Sequence, residues 1–347
     1  MKLIQWVLCA LAMALLLPEG AQARELRVTA TTFPIQQLLR QVTQGRDGLR
    51  VALLIPAQAG CPHDYMMTPA DMRTLEHADV LVLNGLGMED FLLDSLPRGD
   101  KAPKLIDTSA AVDTRDLLIY MDADGSHSDE PARAPHDGER DGAAAHGHDA
   151  PVEHDSAAHG QDGHAPHTHA AAGMTNPHLF ASPHMLARMA VYLATELGKL
   201  DSEGAALYTE NAQRYARELE AVAAESAALG KRLANRCIVT QHGVFDYLAR
   251  DMGLEIVAVV QAHAGQEPSA AEIMRLAKHI RAAHAGAIFI EPQYSRKTGE
   301  TLARESNVTL AVLDPAASGP ENAPLDYTLA AMRANLKTLE TTLGTRE

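Results

Sequence analysis

Five short segments carry residue types that bind metal ions. They are Gly60-Cys61-Pro62-His63-Asp64, Asn176-Pro177-His178, Gln241-His242-Gly243, Glu291-Pro292 and Asp314-Pro315. Three histidines with one or two carboxylates suit a tetrahedral zinc site, with imidazole nitrogens at about 2.0–2.1 Å. Prolines beside His63, His178, Glu291 and Asp314 would stiffen the loops that hold them. Taken singly, a loop histidine is more often a surface group than a ligand. The joint placement is what gives the set weight. Imidazole favours zinc, whereas carboxylate or water favours manganese, so the donor set tilts to zinc. Three histidines plus a water would also describe a hydrolytic zinc site, but no His-Glu-x-x-His motif is present. A zinc metalloenzyme is therefore the alternative from another class. Cys61 lies two residues before His63, and thiolate is a strong zinc ligand. Cys61 and Cys237 read as a bridge, as free thiols or as extra ligands, and the three readings stay open.

The elements that must position these residues follow from alternation. Leu26–Thr32, Leu49–Pro56, Asp79–Asn84 and Lys104–Thr108 read as strands, with helical patterns at Pro34–Val42, Pro69–His77 and Glu89–Leu96. The scheme repeats with strands at Cys237–Gln241, Glu255–Val260, Ala287–Glu291 and Val308–Leu313. Helical patterns fall at Val244–Met252, Ala270–Ala283, Arg296–Ser306 and Tyr327–Leu343. Alternating βα units imply an α/β fold with a parallel sheet covered on both faces; two sets of four imply two similar lobes. Thr68-Pro69-Ala70-Asp71 and Ser269-Ala270-Ala271-Glu272 are helix-start signals. Between the halves, Pro183–Leu200 and the long Ser202–Leu233 stretch read as helices, the second a strut shared by both lobes. Ligands of open α/β sheets sit outside the carboxyl ends of the strands, which is where four of the five segments fall.

The expected organisation is a signal segment at 1–23, an N-terminal lobe at 24–180, a helical connector at 181–234 and a C-terminal lobe at 235–347. Lys2, the apolar run Leu3–Leu17 and Ala21-Gln22-Ala23 form the secretory pattern. Within the first lobe, about 122–173 holds nine of the 17 histidines and almost no apolar bulk, so disorder is expected there. Its His146, His148, His154, His159, His164, His167 and His169 form an auxiliary metal-binding tract. His263 reads as a surface residue. The net charge of −15 argues against nucleic acid as a partner.

The chain resembles the zinc- and manganese-specific solute-binding proteins of ABC importers, and within them the zinc-uptake branch. The resemblance is carried by LLIPAQAGCPHDYMMTPADMRTLEHADVLVLNGLGMEDFL, NPHLFASPHMLARMAVYLATEL, YTENAQRYARELEAV, VTQHGVFDYLARDMGLEIVAVV, IFIEPQYSRKTGETLARESNVTLAVLDP and YTLAAMRANLKTLETTL. It implies two small α/β lobes joined by one long helix. It implies zinc as transported cargo, a periplasmic location, an inner-membrane permease as partner, a monomeric state and no enzymatic activity. His63, His178 and His242 match the family's three histidine ligands, and Asp314 the carboxylate that many members use as a fourth. A histidine-rich insert before the second ligand is typical of the zinc branch. Manganese and iron members commonly have Glu in place of His242, and a manganese- or iron-binding role is the alternative within the family. Glu291 is placed to orient a ligand. The family usually has Asp-Pro-His where this chain has Asn176-Pro177-His178, and Cys61 is not usual. Some relatives have been assigned adhesive roles, so a buffer or adhesin of the same fold is a third reading.

Overall fold

The structure, a computed structural model, describes residues 25–346 except 60, 61, 63, 64, 121–174 and 262–266. The readings for the signal segment, Cys61, His63, His263 and the histidine-rich tract lie outside the described residues.

The first sheet comprises β1 (Leu26–Ala30), β2 (Leu49–Leu53), β3 (Val80–Leu83) and β4 (Lys104–Asp107), all parallel, in the order β2-β1-β3-β4. The second comprises β5 (Cys237–Thr240), β6 (Glu255–Val259), β7 (Ala287–Ile290) and β8 (Thr309–Val312), parallel in the order β6-β5-β7-β8. Both repeat one topology, with the order reversing between the first and third strands of each set. The central strands β3 (VLVL) and β7 (AIFI) are buried at every residue, as strands covered on both faces must be.

The covering helices are α1 (Phe33–Thr43), α2 (Pro69–Glu76) and α3 (Asp90–Leu93) in the first lobe. The second lobe has α6 (Asp246–Met252), α7 (Ala270–Ala282), α8 (Arg296–Ser306) and α9 (Tyr327–Leu343). Both helix-start signals form reciprocal capping boxes: Thr68 with Asp71 and Ser269 with Glu272. Two helices lie between the lobes, α4 (Pro183–Leu200) and α5 (Ala205–Arg232). The 28 residues of α5 span about 42 Å at 1.5 Å per residue. Its buried stripe runs Tyr208, Asn211, Ala212, Tyr215, Leu219, Val222, Ser226 and Leu229, a helical spacing that packs one face against α1, α4, α6 and α9. One apolar cluster therefore runs from Val28 and Val82 of the first sheet through Leu193 and Leu219 to Phe289 of the second.

The helix expected at Glu89–Leu96 is shorter than its pattern. Gly85, Leu86 and Gly87 all have positive φ (89°, 55° and 81°) and the helix starts at Asp90; it ends at Leu93, where the Ser95 and Leu96 amides bond the Leu92 and Leu93 carbonyls as turns ahead of Pro97. Glu89 holds the turn instead of starting the helix. Its carboxyl accepts from the Thr31 hydroxyl (2.7 Å) and the Asn84 and Gly85 amides (2.7 and 3.0 Å). The Asn84 side chain in turn donates to the Pro177 carbonyl (2.9 Å), tying this loop to the His178 segment.

Candidate metal site

His242 follows β5 and Glu291 follows β7, the two strands at the reversal point of the second sheet, where open α/β sheets place ligands. The His242 Nδ1 lies 2.6 Å from Glu291 Oε1, and both side chains are buried. A carboxylate beside Nδ1 favours the proton on that nitrogen, which leaves Nε2 as the metal-binding one. A carboxylate behind an imidazole is the recurring arrangement that orients a metal-binding histidine and raises its basicity.

His178 comes from the other side, in the segment that re-enters the fold before α4. It is fully buried. Its Nδ1 lies 2.9 Å from Asn176 Oδ1, and its backbone N–H donates to the same oxygen (2.9 Å). The Asn176 amide has one consistent orientation, because its nitrogen faces two acceptors: the Gly243 carbonyl (2.6 Å) and Asp246 Oδ2 (2.8 Å). Asn176 Oδ1 therefore faces His178 as an acceptor, and His178 also carries its proton on Nδ1 and its lone pair on Nε2.

The two rings meet edge to face, with centroids 5.0 Å apart and planes at 78°. Two nitrogens bound tetrahedrally to one ion, each at about 2.0–2.1 Å, lie about 3.3 Å from each other, a separation neighbouring rings of this kind can reach. Tyr120 sits at the edge of His178 (5.9 Å) and Tyr294 at the edge of His242 (5.7 Å). Phe180 completes the aromatic surround of His178 (5.8 Å). These rings limit the ways the imidazoles can turn.

Asp314 is half-buried at the end of β8. Its carboxylate accepts from the Ala316 amide (2.8 Å) and the Tyr327 hydroxyl (3.3 Å), and burial raises its pKa. Its backbone is clamped by Asn335, which accepts from the Asp314 amide (2.8 Å) and donates to its carbonyl (2.7 Å). The structure thus brings together His178, His242 and Glu291. Among the described residues no group of three or more His, Cys, Asp or Glu side chains is arranged to hold a metal ion. Cys237 carries a free thiol, 3.7 Å from Glu255 Oε2.

Sequence reasoning did not single out Asp246, Tyr247, Tyr120 or Tyr294. Asp246 is buried, and burial pushes its carboxyl up to about 7 against the opposing pull of Asn176. The Tyr247 hydroxyl donates to the Asn176 carbonyl (2.7 Å) and accepts from the Leu118 amide (3.1 Å). The Asn for Asp departure at 176 was the one visible signal that this corner has its own chemistry.

Comparison with known proteins identifies the family. The chain is 26% identical over 321 residues to the zinc-binding protein AdcA of Streptococcus pyogenes serotype M3, covering 92% of this chain and 56% of that protein. It thus spans little more than half the length of such relatives. It is 28% identical over 300 residues to the high-affinity zinc uptake system protein ZnuA of Brucella abortus, covering 86% of each. The structure of the solute-binding protein FpvC from Pseudomonas aeruginosa in complex with Mn2+ superposes with a TM-score of 0.68 at 28% identity, covering 92% of this chain and 98% of that one. A crystal structure of ZnuA shares the fold at 24% identity (TM-score 0.67). The family model of the zinc-uptake complex component A, periplasmic (ZnuA), matches residues 28–342. Two repeated parallel sheets and a family match over residues 28–342 place this protein in the periplasmic zinc-uptake component A family.

Proposed function

We propose that this chain is the extracytoplasmic component that captures Zn2+ for an ABC importer and delivers it to a membrane permease. The observation that carries this reading is the His178–His242 pair, each ring held through Nδ1 so that Nε2 is the metal-binding nitrogen. His63 is the third ligand in this reading and Asp314 the fourth, with Glu291 orienting His242. Cys61 is an additional ligand or a bystander beside His63. The zinc-binding relatives AdcA and ZnuA support zinc as cargo. The chain acts as a carrier and not as a catalyst, because ligands drawn from two lobes suit a clamp that grips and releases. It works as a monomer, exported through its N-terminal segment. The histidine-rich tract gathers zinc and passes it to the site.

Competitive titration with zinc, manganese and iron(II) tests the reading. One tight zinc per chain beyond the weaker sites of the histidine-rich tract, resistant to manganese and weakened in His178→Ala and His242→Ala, is the expected result. Tight manganese binding that zinc does not displace would contradict it. That outcome would favour the second reading, a manganese carrier of the same fold.

A further inference from the structure

We propose that Asn176 and Asp246 form a matched latch between the His178 segment and the start of α6, which positions His178 and ties it to the loop that carries His242. This rests on the reading that both histidines bind the metal.

The Asn176 side chain is fully hydrogen-bonded. Its carbonyl oxygen takes the His178 amide and ring Nδ1, at 2.9 Å each. Its amide nitrogen spends one proton on the Gly243 carbonyl and the other on Asp246 Oδ2, at 2.6 and 2.8 Å. Its own amide donates to Leu118 (2.7 Å) and its own carbonyl accepts from Tyr247 (2.7 Å). Asn176 and Asp246 are both buried, at 0% and 4% exposed. One side chain thus touches the first histidine, the residue after the second histidine and the first turn of α6.

The chemistry of the pair is directional. The site needs an acceptor toward His178 and a donor toward Asp246, and an amide supplies both. A carboxylate at 176 keeps the acceptor toward His178 but loses both donors. It would also set two buried carboxyl groups against each other at about 3 Å, where both cannot ionise. The departure from Asp-Pro-His is therefore read together with the acid at 246, as one unit of two residues. Space around the latch is closed: a Cβ added at Gly243 would lie 3.1 Å from both Asp246 Oδ2 and Tyr120 Cδ1, and 3.3 Å from Asn176 Nδ2. The partners cannot drift apart without moving the His242 loop.

Neither residue binds the metal in this account. Asn176 is a positioning residue that fixes which His178 nitrogen faces the cleft. Asp246 selects the amide at 176. Loss of such an outer partner typically costs about 10–100-fold in metal affinity.

The test is a mutant cycle in the full chain, read by zinc competition and by thermal unfolding of the zinc-free protein. The variants are Asn176→Asp, Asn176→Ala, each of these combined with Asp246→Asn, and His178→Ala. Asn176→Asp should lose about 10–100-fold in zinc affinity. Asp246→Asn should restore more than half of that loss on a logarithmic scale, because the new amide donates to the new carboxylate. It should not restore Asn176→Ala, which offers nothing to accept that proton. Rescue of both variants, or of neither, overturns the latch; so does an Asn176→Asp chain that binds zinc like the wild type. Should Asn176→Asp alone fail to fold, folding and zinc binding regained in Asn176→Asp/Asp246→Asn is the supporting result, and failure of that pair too is the contrary one. His178→Ala separates the two levels of the argument. If it binds zinc as tightly as the wild type, the metal-site reading itself fails. If it is weak while Asn176→Asp is unaffected, only the latch fails.

Discussion

His242 and His178 reach the same chemical state by different means, one through a carboxylate and the other through an amide oxygen. The carboxylate arrangement gives a direct expectation for Glu291→Gln. The amide keeps a group at the same place but removes the charge, so zinc affinity should fall by about 10–100-fold, measured by chelator competition. An unchanged affinity would remove Glu291 from the account. A second residue-scale expectation concerns Glu89, buried under the β3–α3 turn, whose carboxyl burial pushes up to about 7 from 4.5. Below about pH 4.5 the group is protonated in folded and unfolded chains alike. As pH rises towards 7 the unfolded chain ionises first, so the folded state loses stability over that window. Glu89→Gln cannot ionise. The unfolding free energy of wild type minus that of Glu89→Gln should therefore fall between pH 4.5 and 7, by on the order of 3 kcal/mol at most. A pH-independent difference in urea melts would contradict this. His242 and Glu291 were legible in the sequence because each directly follows an apolar strand. The Asn176–Asp246 contact was not, because it joins residues far apart in sequence, and no local pattern records that approach.

At the scale of elements, local signals carried far. All eight strands lie where β-branched runs predict them, and α8 and α9 have the predicted bounds, because capping residues and apolar periodicity are local properties. The clearest departure, α3, ends early at Leu93, where the chain turns through Ser95 and Leu96 before Pro97 and the apolar pattern runs on without the helix. Close approach is similarly hidden. Gly230 lies in the last turns of α5, where helix propensity alone says that alanine should stabilise by about 1 kcal/mol. Here a Cβ would lie 1.9 Å from the Met252 carbonyl oxygen, backbone that cannot step aside cheaply. Gly230→Ala should therefore destabilise by about 1–3 kcal/mol in urea unfolding, the opposite sign to propensity. A stabilised variant would show that α5 and α6 do not approach as described.

At the scale of the molecule, repetition suggests two independent lobes, but the packing joins them. The main apolar cluster includes strands of both sheets and the length of α5. Polar ties reinforce it: Asn176 to Gly243, Tyr247 to Asn176, Ser182 to Asp251 and Arg250 to the Asp116 carbonyl. The zinc-free protein should therefore melt in one calorimetric transition, with van't Hoff and calorimetric enthalpies in agreement. Two resolved transitions would mean that the lobes fold separately. The count of lobes and a shared strut were readable from the sequence, whereas the continuity of the core was not, because it depends on which face of α5 meets which lobe.

The central claim, that one metal sits between His178 and His242, is tested most directly by X-ray absorption at the zinc edge. The full chain would carry less than one equivalent of zinc, beside the same protein with His178→Ala or His242→Ala. The account predicts a first shell of nitrogen and oxygen at about 2.0–2.1 Å with imidazole scattering in the wild type. Each variant should lose imidazole scattering. Spectra identical in all three proteins would contradict the account, because the tightest zinc would then lie elsewhere on the chain.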